Sequence, residues 1–341
     1  MKICNYTYDT GHLPQKRLGI LLEEEGVIID PNLAWATEYE REGRYNPLLR
    51  AESKCSSSLY KILNGSDNPI EVLEEGYGIY LFLQKIGIDS MRDGTSIAFN
   101  INESNVSLNS PMDKIETYRD FYAHEKHVAK GFEKRNEKIP EAWYQIPAYY
   151  KGPSCGFIGH EDEILWPAYT DILDYELELG MVVGKCGKNI KESHALDHIF
   201  GFTILNDISA RDIQKKEMAV RLGPAKGKDF CSVLGPVITT FDEFDFKEPD
   251  LLMTAKINGK EWSRGQSGDA HFSWAQMIAH VSQDEWVLPA DLFGSGTVGT
   301  GCGLELDKWI KSGDKIELEI ENIGKLINKV GNKQVKRYGK L

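Results

Sequence analysis

Two glutamates, Glu176 and Glu178, stand two residues apart in Ile172-Leu-Asp-Tyr-Glu-Leu-Glu-Leu-Gly-Met181. The stretch alternates strictly. Leu173, Tyr175, Leu177, Leu179 and Met181 share one parity, and Asp174, Glu176 and Glu178 the other. Strand side chains alternate between faces, so the pattern predicts a half-buried strand with a stripe of carboxylates. Glu176 and Glu178 then sit roughly 6.5–7 Å apart at Cα and repel unless something positive lies between them. A hard divalent cation is the simplest partner, because Mg²⁺ and Ca²⁺ prefer carboxylate oxygens. A solvent-facing acidic strand accounts for the same letters.

Other residues have chemistry to offer. Phe202-Thr-Ile-Leu-Asn reads as a buried strand that ends at Asp207, and strand ends are where pockets form. Ser209 then caps a predicted helix, with Asp212 as its acidic third residue. Arg211 and Gln214 are three apart on that helix and share a face. Asp120 is read as ending an extended segment and capping the helix that follows, and His127 lies seven residues on, about two turns later. Lys228 follows Gly227 in a Gly/Pro/Lys loop, close enough to backbone to meet an anion. That loop lacks the spacing of a phosphate-binding loop, so nucleotide binding is rejected. Tyr150 and Lys151, in a Pro- and aromatic-rich stretch, either face a pocket or pack its rim. His194 and His198 have i, i+4 spacing on a predicted helix of residues 193–201, but no HExxH surrounds them, so they read as surface or packing residues. Thr297 is a donor within a Gly-dense run from Gly294 to Gly303.

Residues 1–112 read as a separate, mostly β module with helical inserts and a structural role, and 113–341 as the part that carries the chemistry. In the first part, Arg17 to Leu22 and Val27 to Asp30 predict a hairpin with an acidic turn. Pro31 opens one helix, and periodicity places others at 59–65 and 72–87. In the second part, Asn258-Gly259 predicts a tight hairpin. Phe272 to Val281 predicts a helix, and alternation after Gly313 a closing hairpin.

Composition narrows the partners. The 341 residues carry a net charge of −12, with a pI near 5.3, which argues against nucleic acid or an anionic membrane. An anionic substrate therefore needs a local positive site. The six cysteines are scattered and form no C-x-x-C pair, which suits reduced thiols in a cytoplasm. The N-terminal residues lack the apolar core of a secretion signal, and no apolar run approaches the ~20 residues that span a bilayer.

Taken together, the motifs resemble the fumarylacetoacetate hydrolase family over roughly 113–341. The matching pieces are Asp120-Phe-Tyr…His127, Tyr175-Glu-Leu-Glu178, Leu205-Asn-Asp-Ile-Ser-Ala-Arg-Asp-Ile-Gln214, Gly227-Lys-Asp-Phe, Gly296-Thr297 and the Gly-Asp-Lys-Ile-Glu…Ile-Gly-Lys-Leu-Ile-Asn ending. The resemblance implies an α+β, β-rich fold. It consists of a mixed β-roll catalytic domain behind a small β-barrel-like N-terminal domain, assembled as a homodimer. It implies that Asp120, Glu176, Glu178 and Asp207 bind a divalent cation, Mg²⁺ foremost, with Ca²⁺ or Mn²⁺ as alternatives. It implies His127 as general base and Glu305 as the acid that orients it. Lys228 and Ser232 match positions near the metal, and Arg211 a charged pocket residue. Tyr122, Gln214 and Thr297 match substrate contacts, and Arg135 a substrate arginine one residue out of step.

The implied activity is hydrolytic C–C cleavage of a small 1,3-diketo acid by His-activated water. Decarboxylation of a 2-oxo acid such as oxaloacetate, or isomerisation or hydration of a 2-oxo-alkenoate, uses the same metal site. Three features depart from the family pattern: Met218 replaces a substrate tyrosine, the 220–228 loop is one residue longer, and Lys151 and Pro153 stand in the Pro-aromatic loop. They leave the substrate open but not the reaction class.

Overall fold

The stretch that carries Glu176 and Glu178 lies at the centre of the largest sheet. The computed structural model describes residues 1–9 and 14–335. Among these, the fold is mixed α+β and sheet-rich. The main sheet runs Ala98–Asn100, Val27–Ile29, Gln15–Leu22, Lys2–Tyr8, Val237–Thr240, Ile199–Asn206, Leu177–Val183, Leu292–Gly294, Tyr118–Phe121, Tyr149–Gly152. This order is open at both ends and closes no ring. A second sheet orders Lys260–Gln266, Leu252–Ile257, Lys315–Ile320, Gly324–Lys333 and Glu163–Trp166.

The second sheet explains why the central strand is buried on both sides. Leu177, Leu179, Met181, Phe202 and Ile204 share one apolar core with Met253, Ala255, Leu318 and Ile320 from it. Each of the larger side chains, Ala255 apart, contributes about 1.5–3 kcal/mol on burial. That apolar face offsets the cost of holding carboxylates on the other. The expected half-exposed strand is therefore corrected: every residue of Leu177–Val183 is buried. It is also shorter than expected. Leu173–Asp174 is a separate two-residue strand, and Glu176 makes only an isolated bridge to Cys302.

Residues 1–112 and the following part share the main sheet, because Lys2–Tyr8 pairs antiparallel with Val237–Thr240. The hairpin of Gln15–Leu22 with Val27–Ile29 forms as the sequence suggests. Helices follow at Pro31–Arg41, Pro47–Lys54, Leu59–Gly65 and Pro69–Lys85. Asp30 caps the first by accepting from the Leu33 N–H at 2.8 Å.

Four local expectations fail for physical reasons. Asp120 lies near the end of an extended segment, the strand Tyr118–Phe121, as expected, but it caps no helix: the residue at the N-cap of helix Glu125–Glu133 is His124. Ser209 is paired with Asp174 in a short ladder, so Ala210 takes the N-cap of helix Arg211–Val220. Residues Glu192–His198 form a 3₁₀ turn without a side-chain cap, not an α-helix. The helix expected from Phe272 starts at Trp274, fixed by a capping box between Ser273 and Gln276. Among the described residues no helix is long and apolar enough to cross a membrane.

Candidate active site

Two strands aim carboxylates at one point across a third that lies between them. Gly180, Gly294 and Asp120 lie in register across Leu177–Val183, Leu292–Gly294 and Tyr118–Phe121. Glu178 is two residues from Gly180, hence on the same face. Gly294 has to be glycine here. A Cβ on it would stand 2.7 Å from Asp120 Oδ1 and 2.9 Å from Glu178 Oε2. Asp207 follows the fourth strand, Ile199–Asn206. The Glu176 backbone N–H donates to Asn206 Oδ1 at 3.1 Å, which ties that end to the break before Leu177. Asp120, Glu176, Glu178 and Asp207 then present one oxygen each within 4.8 Å of one another, all buried.

Two cations lie against this group. The Lys228 ammonium bridges Glu176 and Asp207. Arg211 reaches Glu176 at 2.8 Å and Asp174 at 2.7 Å. Asp174 also accepts the N–H groups of Gly303 at 2.8 Å and Leu304 at 2.9 Å. Five carboxylates thus face two cations, and the charge is short on the positive side. The titration directions follow. Burial, then the Asp120 charge, pushes Glu178 well above the usual carboxylate range. Burial, then the Asp207 charge, does the same to Asp120. For Glu176 burial acts upward, but Lys228 and Arg211 overcome it and hold the group down at about 2.

The buried Asp120 Oδ1 and Glu178 Oε2 have no hydrogen-bond partner in the protein. Orphaned buried anionic oxygens are costly. Four carboxylates with two such oxygens fit a hard divalent cation. Ser232 Oγ donates to Asp207 at 3.1 Å, and Thr297 Oγ1 to Glu178 at 3.3 Å.

Beside the acids lies a dyad. His127, on helix Glu125–Glu133, has Nδ1 2.7 Å from Glu305 Oε1. Glu305 Oε2 accepts the Thr300 N–H at 2.9 Å, which fixes the carboxylate. Both side chains are almost fully buried. The Tyr122 ring meets His127 edge-on at 5.5 Å. Burial, only partly offset by Arg135, pushes the Tyr122 phenol up to about 12, so it remains a donor.

The remaining expected residues are placed as follows. Gln214 Oε1 accepts from Arg211 at 2.9 Å. Arg135 is half-exposed and paired with Glu137 at 3.1 Å. Its guanidinium nevertheless flanks Gly131 together with the Tyr122 hydroxyl. Tyr150 is directly opposite Asp120 in the strand register, but its hydroxyl is taken by Asp229. His194 and His198 lie apart from this group; His194 contacts Asp197, and His198 the Lys185 carbonyl. Two residues of the site were missed by reading the sequence. Asp174 was signalled by sharing parity with Glu176 and Glu178. Cys302, against Glu305, carried no spacing signal.

The family model for the fumarylacetoacetate (FAA) hydrolase C-terminal domain matches residues 116–331, which include both clusters. The chain belongs to this family. It is 29% identical over 289 residues to oxaloacetate tautomerase YisK of Bacillus subtilis, covering 82% of this chain and 91% of that protein. Other relatives match over 54% of this chain and 59% of their own length. The fold resembles a fumarylacetoacetate hydrolase from Exiguobacterium antarcticum, at TM-score 0.67 and 22% identity, over 98% of this chain and 100% of that one. It also resembles a Pseudomonas aeruginosa fumarylpyruvate hydrolase solved with Mn²⁺ and pyruvate, at TM-score 0.55 and 19% identity, over 64% of this chain and 90% of that one. Members of this family include hydrolases, isomerases and tautomerases.

Proposed function

We propose that this chain interconverts the enol and keto forms of a 2-oxo dicarboxylic acid of the oxaloacetate type. The reaction moves one proton between the enol oxygen and the carbon beside the carbonyl. The observation that carries this reading is the carboxylate-backed imidazole of His127 next to four buried carboxylates. The similarity, over 82% of this chain, to a protein named as an oxaloacetate tautomerase supports it.

A divalent cation held by Asp120, Glu176, Glu178 and Asp207 supplies a Lewis acid for the substrate's oxygens. An all-oxygen donor set suits Mg²⁺ or Mn²⁺, and admits Ca²⁺. His127 takes up and returns the proton, and Glu305 fixes its ring and the position of the Nδ1 hydrogen. Arg211, locked by Asp174, and Lys228 keep positive charge close to the developing enolate oxygen. Tyr122 and Arg135 offer a hydroxyl and a guanidinium to the substrate's far carboxylate. Thr297 and Gln214 hold Glu178 and Arg211 in place rather than touching substrate.

The same dyad favours a second reading. An imidazole backed by a carboxylate also deprotonates water, which is what C–C cleavage of a 1,3-diketo acid requires.

The experiment is a substrate panel with Mg²⁺ or Mn²⁺, comprising enol-oxaloacetate, acylpyruvates and fumarylpyruvate. Ketonisation of oxaloacetate should be fastest. Acylpyruvate cleavage without ketonisation transfers the assignment to the hydrolytic reading. His127→Ala should lower turnover by about 10²–10⁴-fold with cation stoichiometry unchanged. Turnover like that of the unaltered protein removes His127 from this role.

A further inference from the structure

Cys302 is fully buried, and its sulfur has no part in the chemistry above. It lies 3.6 Å from Glu305 Oε1 and 4.0 Å from His127 Nδ1. Imidazole, thiol and carboxylate thus converge, with one atom of each within 4.8 Å of the others. We propose that His127, Cys302 and Glu305 form a second metal site, selective for a borderline-soft divalent ion such as Zn²⁺, and that occupying it switches the enzyme off.

Donor chemistry separates the two sites. Thiolate and imidazole favour zinc, whereas four carboxylates favour magnesium or manganese. The geometry is close to what zinc takes. Tetrahedral bonds of ~2.0–2.3 Å separate neighbouring ligand atoms by about 3.3–3.6 Å. The sulfur–oxygen separation of 3.6 Å already matches, and the sulfur–nitrogen separation of 4.0 Å must close slightly. The 2.7 Å nitrogen–oxygen contact must open by roughly 0.6 Å.

The backbone holds the three in place. Cys302 is pinned by its bridge to Glu176, and Glu305 by the Thr300 N–H. Cys302 and Glu305 are three residues apart on one turn. Binding takes Nδ1 from Glu305 and expels the thiol proton to solvent, so affinity rises with pH. Burial pushes the thiol up, and nearby Arg211 acts in the opposite direction. The loss of turnover rests on the role proposed for His127, whereas the binding does not.

The test uses the full chain with Cys155→Ser and Cys186→Ser, which removes the two exposed thiols, and excess Mg²⁺ to occupy the carboxylates. Titration with Co²⁺ should produce a near-ultraviolet thiolate-to-cobalt absorption that an all-oxygen site cannot give. Adding Cys302→Ser or Cys302→Ala should abolish it. Zn²⁺ should displace the cobalt and stop turnover, and the half-inhibitory concentration should rise at least tenfold, roughly, in either Cys302 variant. No absorption with Cys302 present, or one that survives its replacement, overturns the site. Absorption with turnover unaffected by zinc upholds the site and overturns the base role of His127.

Discussion

Two buried charge clusters sit in the same sheet and are built differently. Near the N-terminus, Asp30 accepts from the Tyr6 hydroxyl at 2.8 Å, from Arg17 at 2.5 Å and from the Leu33 N–H at 2.8 Å. Arg17 also donates to Asn32 at 2.7 Å. Each anionic oxygen there has a partner within the chain. In the second cluster five acids share Lys228 and Arg211, and Asp120 Oδ1 and Glu178 Oε2 have none. The first cluster balances itself and serves stability. The second carries more acid than its two cations balance, a surplus that protons or a bound cation must neutralise, and that surplus marks it for a ligand.

Removing one carboxylate from each cluster should therefore have opposite consequences. Glu178→Gln has the largest expected effect. It weakens the cation site, which is worth several kcal/mol at the transition state, so turnover should fall by about 10³-fold or more. The same change relieves like-charge repulsion, so the cation-free variant should melt at a higher temperature than the cation-free parent. Calorimetry with and without a chelator measures both. A lower melting temperature would show that Glu178 is balanced in the empty site, and the contrast would fail.

Asp30→Ala should do the reverse. It strands the Arg17 guanidinium and removes a helix cap, at a cost of about 3–5 kcal/mol in denaturant unfolding. Turnover per folded molecule should be unchanged. An activity loss larger than the unfolded fraction would tie the N-terminal cluster to catalysis.

The residues of the second cluster were more legible than their surroundings. Alternation put Glu176 and Glu178 on one face, a strand end exposed Asp207, and motif order joined them to Asp120 and His127. Alternation is local, however, and burial is not. Nothing within 172–181 reveals that strands from residues 252–333 close over its apolar side and leave no wet face. The same alternation could not tell Asp174 from its neighbours. The strand breaks at Tyr175 and Glu176, which turns Asp174 toward Arg211 and the Gly303 and Leu304 amides. Ser209 looked like a helix cap because its type favours one, but pairing with Asp174 overrides that preference. Cys302 was invisible because a single thiol has no spacing to read.

The smallest expected effect probes how finely the second cluster is tuned. Thr297 is buried, and its hydroxyl donates to Glu178 Oε1 at 3.3 Å, while Glu178 Oε2 has no partner. The hydroxyl thus satisfies one oxygen and leaves the other free to point at a cation. Thr297→Val keeps the side-chain shape and removes only this donor. Cation affinity should fall about tenfold, as for the loss of an outer hydrogen bond to a metal ligand. Turnover at saturating cation should return to the parent value. A substrate-contacting Thr297 predicts something else: a raised KM that no amount of cation restores. Measuring KM for substrate at several cation concentrations separates the two. If KM stays high throughout, the hydroxyl belongs to substrate recognition, and Glu178 is oriented by its strand alone.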